Sequence, residues 1–230
     1  MDDTPPHTAP VFLHDGPADA ETTLLLAHGA GAAMDSPWMN DLAQGLGAAG
    51  LHVVRFEFAY MAARRQTGTR RPPPRAERLQ GEFFDAVSAL AAQDLAKRSR
   101  VLIGGKSMGG RVASMVADSL WREGRIAGVI GLGYPFHPPK HADRLRTAHL
   151  QELETPMLIC QGERDPFGSR TEVESYALSE SIRIVWLADG DHHLSPRVAS
   201  GHTQAGHRQR LVEAIAGFTT ALRGPSPAIR

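Results

Sequence analysis

The 230-residue chain has a single cysteine, Cys160, which excludes an internal disulfide framework and leaves no cysteine set for zinc. A reducing, cytoplasmic compartment is the expectation. Charge of one sign is also missing: 25 Lys and Arg balance 25 Asp and Glu. No bulk field would therefore draw the molecule to nucleic acid or to an anionic membrane surface, and a small molecule is the expected partner. Nowhere do about 18 apolar residues run together, so no transmembrane helix is expected. The opening Met1-Asp2-Asp3-Thr4-Pro5-Pro6 lacks the basic start and apolar run of a secretory signal, and no export is expected.

What is present has a globular balance, 42% hydrophobic and 22% charged residues. The length suits one α/β domain, with flexible tails expected over about residues 1–10 and 224–230. Thr23 to Ala27 reads as a buried strand that feeds the loop His28-Gly29-Ala30-Gly31. Ser36 and Pro37 then open a helix with Met39, Leu42 and Leu46 on one face. Leu51 to Phe58 is the next strand. From Ala62 to Arg75 the chain is basic and proline-bearing, with Arg64, Arg65, Arg70 and Arg71, and reads as a surface loop.

Leu79, Phe83, Val87 and Leu90 mark a helix running toward Leu95, followed by a strand over Arg100 to Gly104. After Ser107 a further helix carries Val112, Met115 and Val116 on one face. Strands over Ile126 to Leu132, Pro156 to Cys160 and Ser181 to Leu187 bring the total to six. Leu211, Ile215, Phe218 and Leu222 then mark a closing amphipathic helix. Strands alternating with helices imply a three-layer α/β/α sandwich with a mostly parallel sheet, whose sites lie at the carboxyl ends of the strands.

Gly105-Lys106-Ser107-Met108-Gly109 fits G-x-S-x-G, and the strand before it and helix after it supply the context that a bare match lacks. A sharp strand-to-helix turn needs glycines where side chains would clash. A serine hydroxyl also needs a base to take its proton. Asp165, in Gly162-Glu163-Arg164-Asp165-Pro166, follows one strand; His192, in Asp189-Gly190-Asp191-His192-His193, follows the last. This is the order serine, acid, histidine. Ser107 is thus the candidate nucleophile, His192 the base and Asp165 the group that holds its tautomer. The backbone N–H groups of Met108 and Ala30 are the candidate oxyanion donors.

On Ala27-His28-Gly29-Ala30-Gly31, Gly104 through Arg111, Gln161 through Gly168 and Asp191-His192, the chain resembles the α/β-hydrolase superfamily. More narrowly it is similar to small hydrolases related to dienelactone hydrolase, a group that includes testis-expressed homologues. The resemblance implies an α/β-hydrolase fold. It also implies a serine hydrolase that cleaves an ester, thioester or related small acyl compound through a covalent acyl-enzyme, with no metal or organic cofactor. Dienelactone hydrolase itself uses a cysteine where this chain has Ser107, so its substrate does not carry over. The short stretch between Leu132 and Pro156 leaves no room for a large lid domain and suggests an open, shallow site.

Plainer roles stand beside each assignment. Ser107 could cap a helix, Asp165 could form a turn before Pro166, and His193 could replace its neighbour as the base. His202 and His207 lack the four-residue step of a helical metal pair, and Cys160 reads as a buried strand residue rather than a thiol nucleophile. The arginines from Arg64 to Arg78 form either a solvated face or a collector for an acidic substrate. Arg111 and Glu57 could pair to brace the serine turn. The alternative to an enzyme is a non-catalytic hydrolase-like module that binds a protein partner.

Overall fold

The computed structural model describes residues 10–69, 72–93 and 99–222. Seven strands form one sheet: β1 (Phe12–Asp15), β2 (Thr22–Ala27), β3 (His52–Phe56), β4 (Arg100–Lys106), β5 (Gly128–Leu132), β6 (Met157–Gly162) and β7 (Ile182–Leu187). Their spatial order is β1-β3-β2-β4-β5-β6-β7. Only β1 runs antiparallel, with Phe12 opposite Phe56 and Asp15 opposite Val53. This edge strand was not among the six expected. It is four residues long and mostly half-buried, so it carries no apolar run to mark it.

The helices are α1 (Pro37–Ala48), α2 (Ala59–Thr67), α3 (Gln80–Ala91), α4 (Met108–Arg122), the single turn α5 (Arg170–Val173) and α6 (Gln204–Ala221). Two-residue alternation along the strands divides the core. Leu24 and Leu26 of β2 pack with Leu42 and Leu46 of α1 and with Leu211 and Ile215 of α6. Leu25 and Ala27 point to the other face and join Phe83 and Val87 of α3 and Val112 and Val116 of α4. Successive strand side chains point to opposite faces, so a strand this apolar must be covered on both sides. The three layers follow from that.

The basic segment after Phe58 differs from expectation. Arg64 and Arg65 lie on α2 rather than on a loop. Ala, Met, Arg and Gln are all good helix formers, and Gly68, at φ 69°, ends the helix in the left-handed conformation. Arg65 bonds both Asp35 (2.8 Å) and Glu57 (2.7 Å), which ties α2 to the neighbouring loops. Arg70, Arg71, Leu95 and the two expected tails up to residue 9 and from residue 223 lie outside the described residues. Between β5 and β6 the chain forms only a short 3-10 turn at Ala148–Leu150, so no large lid domain is inserted there.

Candidate functional site

β4 and α4 meet at Ser107, whose backbone has φ 51° and ψ −112°. A non-glycine residue rarely holds a positive φ, and doing so costs on the order of 1–3 kcal/mol that surrounding packing must offset. The packing is close. A Cβ on Gly105 would lie 2.6 Å from the Ala27 carbonyl oxygen, and one on Gly109 would lie 2.6 Å from that of His28. The turn is pinned by the Ser107 N–H donating to Leu132 O (2.9 Å) and the Arg111 N–H donating to Ser107 O (3.0 Å).

The loops after β6 and β7 bring two side chains to this serine. His192 Nε2 lies 2.9 Å from Ser107 Oγ, and His192 Nδ1 lies 2.9 Å from Asp165 Oδ2. Asp165 is fully buried. Its carboxylate also accepts from the Phe167 N–H (2.8 Å) and from Gln161 Nε2 (3.0 Å). With Asp165 accepting at Nδ1, the proton of a neutral His192 sits there and Nε2 faces the serine hydroxyl as an acceptor. Burial pushes the His192 pKa below its ordinary value, opposed by the hydrogen bond to Asp165 and reinforced by the charge of Lys106. The phenyl ring of Phe167 lies against the imidazole, 4.2 Å between centroids. His193 also lines the pocket, but no hydrogen bond joins its ring to Ser107 or Asp165 among the described residues; its N–H donates to Asp191 Oδ1 and its carbonyl accepts from Trp38 Nε1.

The glycine-rich loop after β2 forms the opposite wall. The Phe58 N–H donates to His28 Nε2 (3.1 Å), so the His28 proton is on Nδ1, which donates to Gly29 O (2.7 Å). Burial lowers the pKa of this imidazole and keeps it neutral, as the bonding requires. From α2, Tyr60 Oη donates to Ala30 O (3.1 Å) and Arg64 to Gly31 O (3.3 Å). Both contacts hold carbonyls of the loop from behind. Among the described residues, neither the Ala30 nor the Met108 N–H has a hydrogen-bond acceptor. Both residues line the pocket that contains Ser107.

That pocket encloses about 990 Å³, with Trp38, Pro74, Arg111, Arg146 and Phe167 in its walls. It is at the upper end of the range for small-molecule sites. Several of its parts left no separate mark in the sequence. Gln161, fully buried, accepts from the Tyr134 N–H (2.6 Å) while its amide donates toward Asp165, Tyr134 O and Gly168 O. Lys106 donates to His192 O (2.7 Å) beneath Trp38, and burial draws its pKa down to about 8. The pairing of Arg111 with Glu57 does not occur. Arg111 pairs with Glu77 (2.6 Å) and Glu57 with Arg65, because α2 stands beside Glu57 while α4 faces the turn that carries Glu77.

His207 Nδ1 donates to Leu194 O, and the His207 ring lies 5.7 Å from that of His202. Cys160 is fully buried in β6, where burial pushes its thiol pKa up to about 12. No helix among the described residues is long and apolar enough to cross a membrane.

Residues 20–220 match the family model described as an alpha/beta hydrolase domain. Among solved structures, the chain is similar to XC6422 of Xanthomonas campestris, described as an α/β serine hydrolase without a lid. Identity is 19%, over 94% of this chain and 90% of that one, with a TM-score of 0.67. It is also similar to a dienelactone hydrolase of Anabaena variabilis, at 20% identity over 91% and 90% of the two chains and a TM-score of 0.70. Est1E of Butyrivibrio proteoclasticus matches at 14% identity over 93% and 94%, with a TM-score of 0.66.

Proposed function

The chain belongs to the α/β-hydrolase family, and on that premise we propose that it is a serine hydrolase cleaving an ester, thioester or related small acyl compound. The observation that carries this reading is the unbroken hydrogen-bonded line from Ser107 Oγ through His192 to Asp165, with 2.9 Å at each step. Ser107 Oγ attacks the acyl carbon as its proton passes to His192 Nε2. Asp165, accepting at Nδ1, stabilises the imidazolium that forms. The carbonyl oxygen becomes an oxyanion and takes the Met108 and Ala30 N–H groups. Removing one donor of this kind typically costs about 100- to 1,000-fold in turnover.

Collapse of the tetrahedral adduct expels an alkoxide or thiolate, which takes the proton from His192, and leaves an acyl-serine. Water, deprotonated by the same imidazole, then releases the acid and restores Ser107. No metal or organic cofactor has a part in this sequence of steps. A small acyl substrate and a reducing, cytoplasmic setting, suggested by a chain with one cysteine, belong to the same proposal.

The test is labelling by a fluorophosphonate probe, comparing the native chain with Ser107→Ala. The expected result is labelling of the first and none of the second. Folded native protein that resists the probe would turn the assignment toward a binding module. Labelling that survives the substitution would put the nucleophile elsewhere.

A further inference from the structure

The chain as a whole has no net charge, yet the pocket wall does. Arg75, Lys106, Arg111 and Arg146 line it against one carboxylate, Glu77. We propose that Arg111 and Arg146 form a carboxylate-binding subsite beside Ser107, so that the acyl compound cleaved here carries a free carboxylate. The inference rests on the serine-hydrolase reading for its chemistry, but not for its geometry.

Arg111 lies one helical turn beyond Ser107, about 6 Å along the axis of α4. Its side chain is only 15% exposed. One terminal nitrogen meets the half-exposed Glu77, while its Nε is buried without a hydrogen-bond partner among the described residues. Arg146 comes from the stretch between β5 and β6, where its N–H donates to Phe136 O (2.7 Å). Its half-buried guanidinium makes no hydrogen bond or ion pair among the described residues. Burial first, and then the charge of Arg111, pull its pKa below the ordinary arginine value.

An arginine cannot relieve this by giving up its proton, as a buried lysine can. Two guanidinium groups on the wall of one pocket, with the charge of Arg111 felt at Arg146, call for an anion. The other neighbours do not supply one. His149 is held neutral by burial, its pKa drawn down to about 4, and Tyr134 stays a phenol because burial raises its pKa. Ser114 bonds both of them at 2.9 Å. Lys106 is engaged by His192 O. Glu77 offsets the charge of Arg111, which leaves the Arg146 guanidinium to take a carboxylate of the substrate. The planar fork of a guanidinium suits the same group.

Two arms test the proposal. In the first, kcat/KM is measured for the 4-nitrophenyl monoester of glutaric acid and for 4-nitrophenyl pentanoate, which has the same acyl chain length without the acid. The native protein should favour the glutarate ester, and Arg146→Gln should cut that preference about 10- to 100-fold, the worth of a hydrogen bond to a charged group. A native enzyme with no preference, or a preference untouched by the substitution, would overturn the subsite.

The second arm uses calorimetry with monomethyl glutarate on Ser107→Ala protein, with and without Arg146→Gln. Binding that disappears with Arg146 supports the subsite even if no ester is turned over, in which case it is the hydrolase reading that fails. Absence of binding, in a protein that does hydrolyse neutral esters, removes the subsite and leaves that reading standing.

Discussion

Replacing Gln161 by glutamate exchanges one amide for a carboxyl group beneath the candidate site and should make stability depend on pH. In the native chain the Gln161 amide nitrogen faces three acceptors, Tyr134 O at 3.2 Å, Asp165 Oδ2 at 3.0 Å and Gly168 O at 3.1 Å. Its carbonyl oxygen takes the Tyr134 N–H at 2.6 Å. A protonated carboxyl group in its place can keep the Tyr134 bond and donate to one of those acceptors. An ionised one cannot donate at all. It would also place a second negative charge against the buried Asp165, a repulsion of about 5 kcal/mol at ~3 Å even with an effective dielectric of ~20.

The folded pKa of the introduced carboxyl group is therefore raised above the unfolded value of about 4.3. Above that pH the folded chain holds a proton that the unfolded chain has released. Unfolding free energy should then fall, relative to the native chain, by up to about 1.4 kcal/mol for each pH unit. From pH 5 to pH 8 the loss approaches about 4 kcal/mol on the same scale. Gln161→Leu should instead show a loss that pH does not change. It leaves the buried Tyr134 N–H without its acceptor and Gly168 O without its donor, at about 1–3 kcal/mol each. Urea denaturation of the native, Gln161→Glu and Gln161→Leu proteins at pH 5, 6, 7 and 8 measures both effects. A glutamate variant whose stability runs parallel to the native chain across that range would refute the reasoning, as would a leucine variant of native stability.

Gly109→Ala should destabilise the protein by about 1–3 kcal/mol and lower turnover, because the new Cβ meets backbone oxygens of Ala27 and His28 at 2.7 and 2.6 Å. Gly217→Ala, where nothing lies within 4 Å, is the control and should gain about 0.5–1 kcal/mol from helix propensity; equal effects in urea denaturation would show that the serine turn is not so tightly packed. Ester hydrolysis should fade as acid protonates His192, with an apparent pKa below 6.5, since burial depresses it. Lys106→Met removes a positive charge and should move that limb to higher pH; a limb that stays or moves lower counts against the role of Lys106. The native chain, whose Lys106 pKa falls from 10.5 to about 8, should also gain stability over Lys106→Met as pH rises between those values and the buried ammonium loses its proton.

Much of the candidate site is legible in the sequence because each of its parts is marked locally in the chain. The glycines around Ser107 are constrained by backbone contacts of the turn itself, so they appear as a five-residue pattern. Asp165 and His192 follow strands whose apolar runs are plain, and parallel strands deliver their following loops to one edge of the sheet. The choice between His192 and His193 is different. It depends on how the loop is turned by Asp191, which takes the N–H groups of His193 and Ser195.

Periodicity and short-range backbone sterics are written along the chain, and they are enough to settle the layered α/β architecture and to mark a candidate serine, acid and histidine. Which distant residues become partners is decided only by packing in three dimensions. Packing gave β1 its place beside β3, set α2 behind the glycine-rich loop, put Gln161 under Asp165 and paired Arg65, not Arg111, with Glu57. It also brought Arg146 to the same pocket as Arg111, although 35 positions separate them in the chain (146 − 111). Pairings of this kind have no spacing rule, because they depend on how elements pack in space rather than on how residues follow one another.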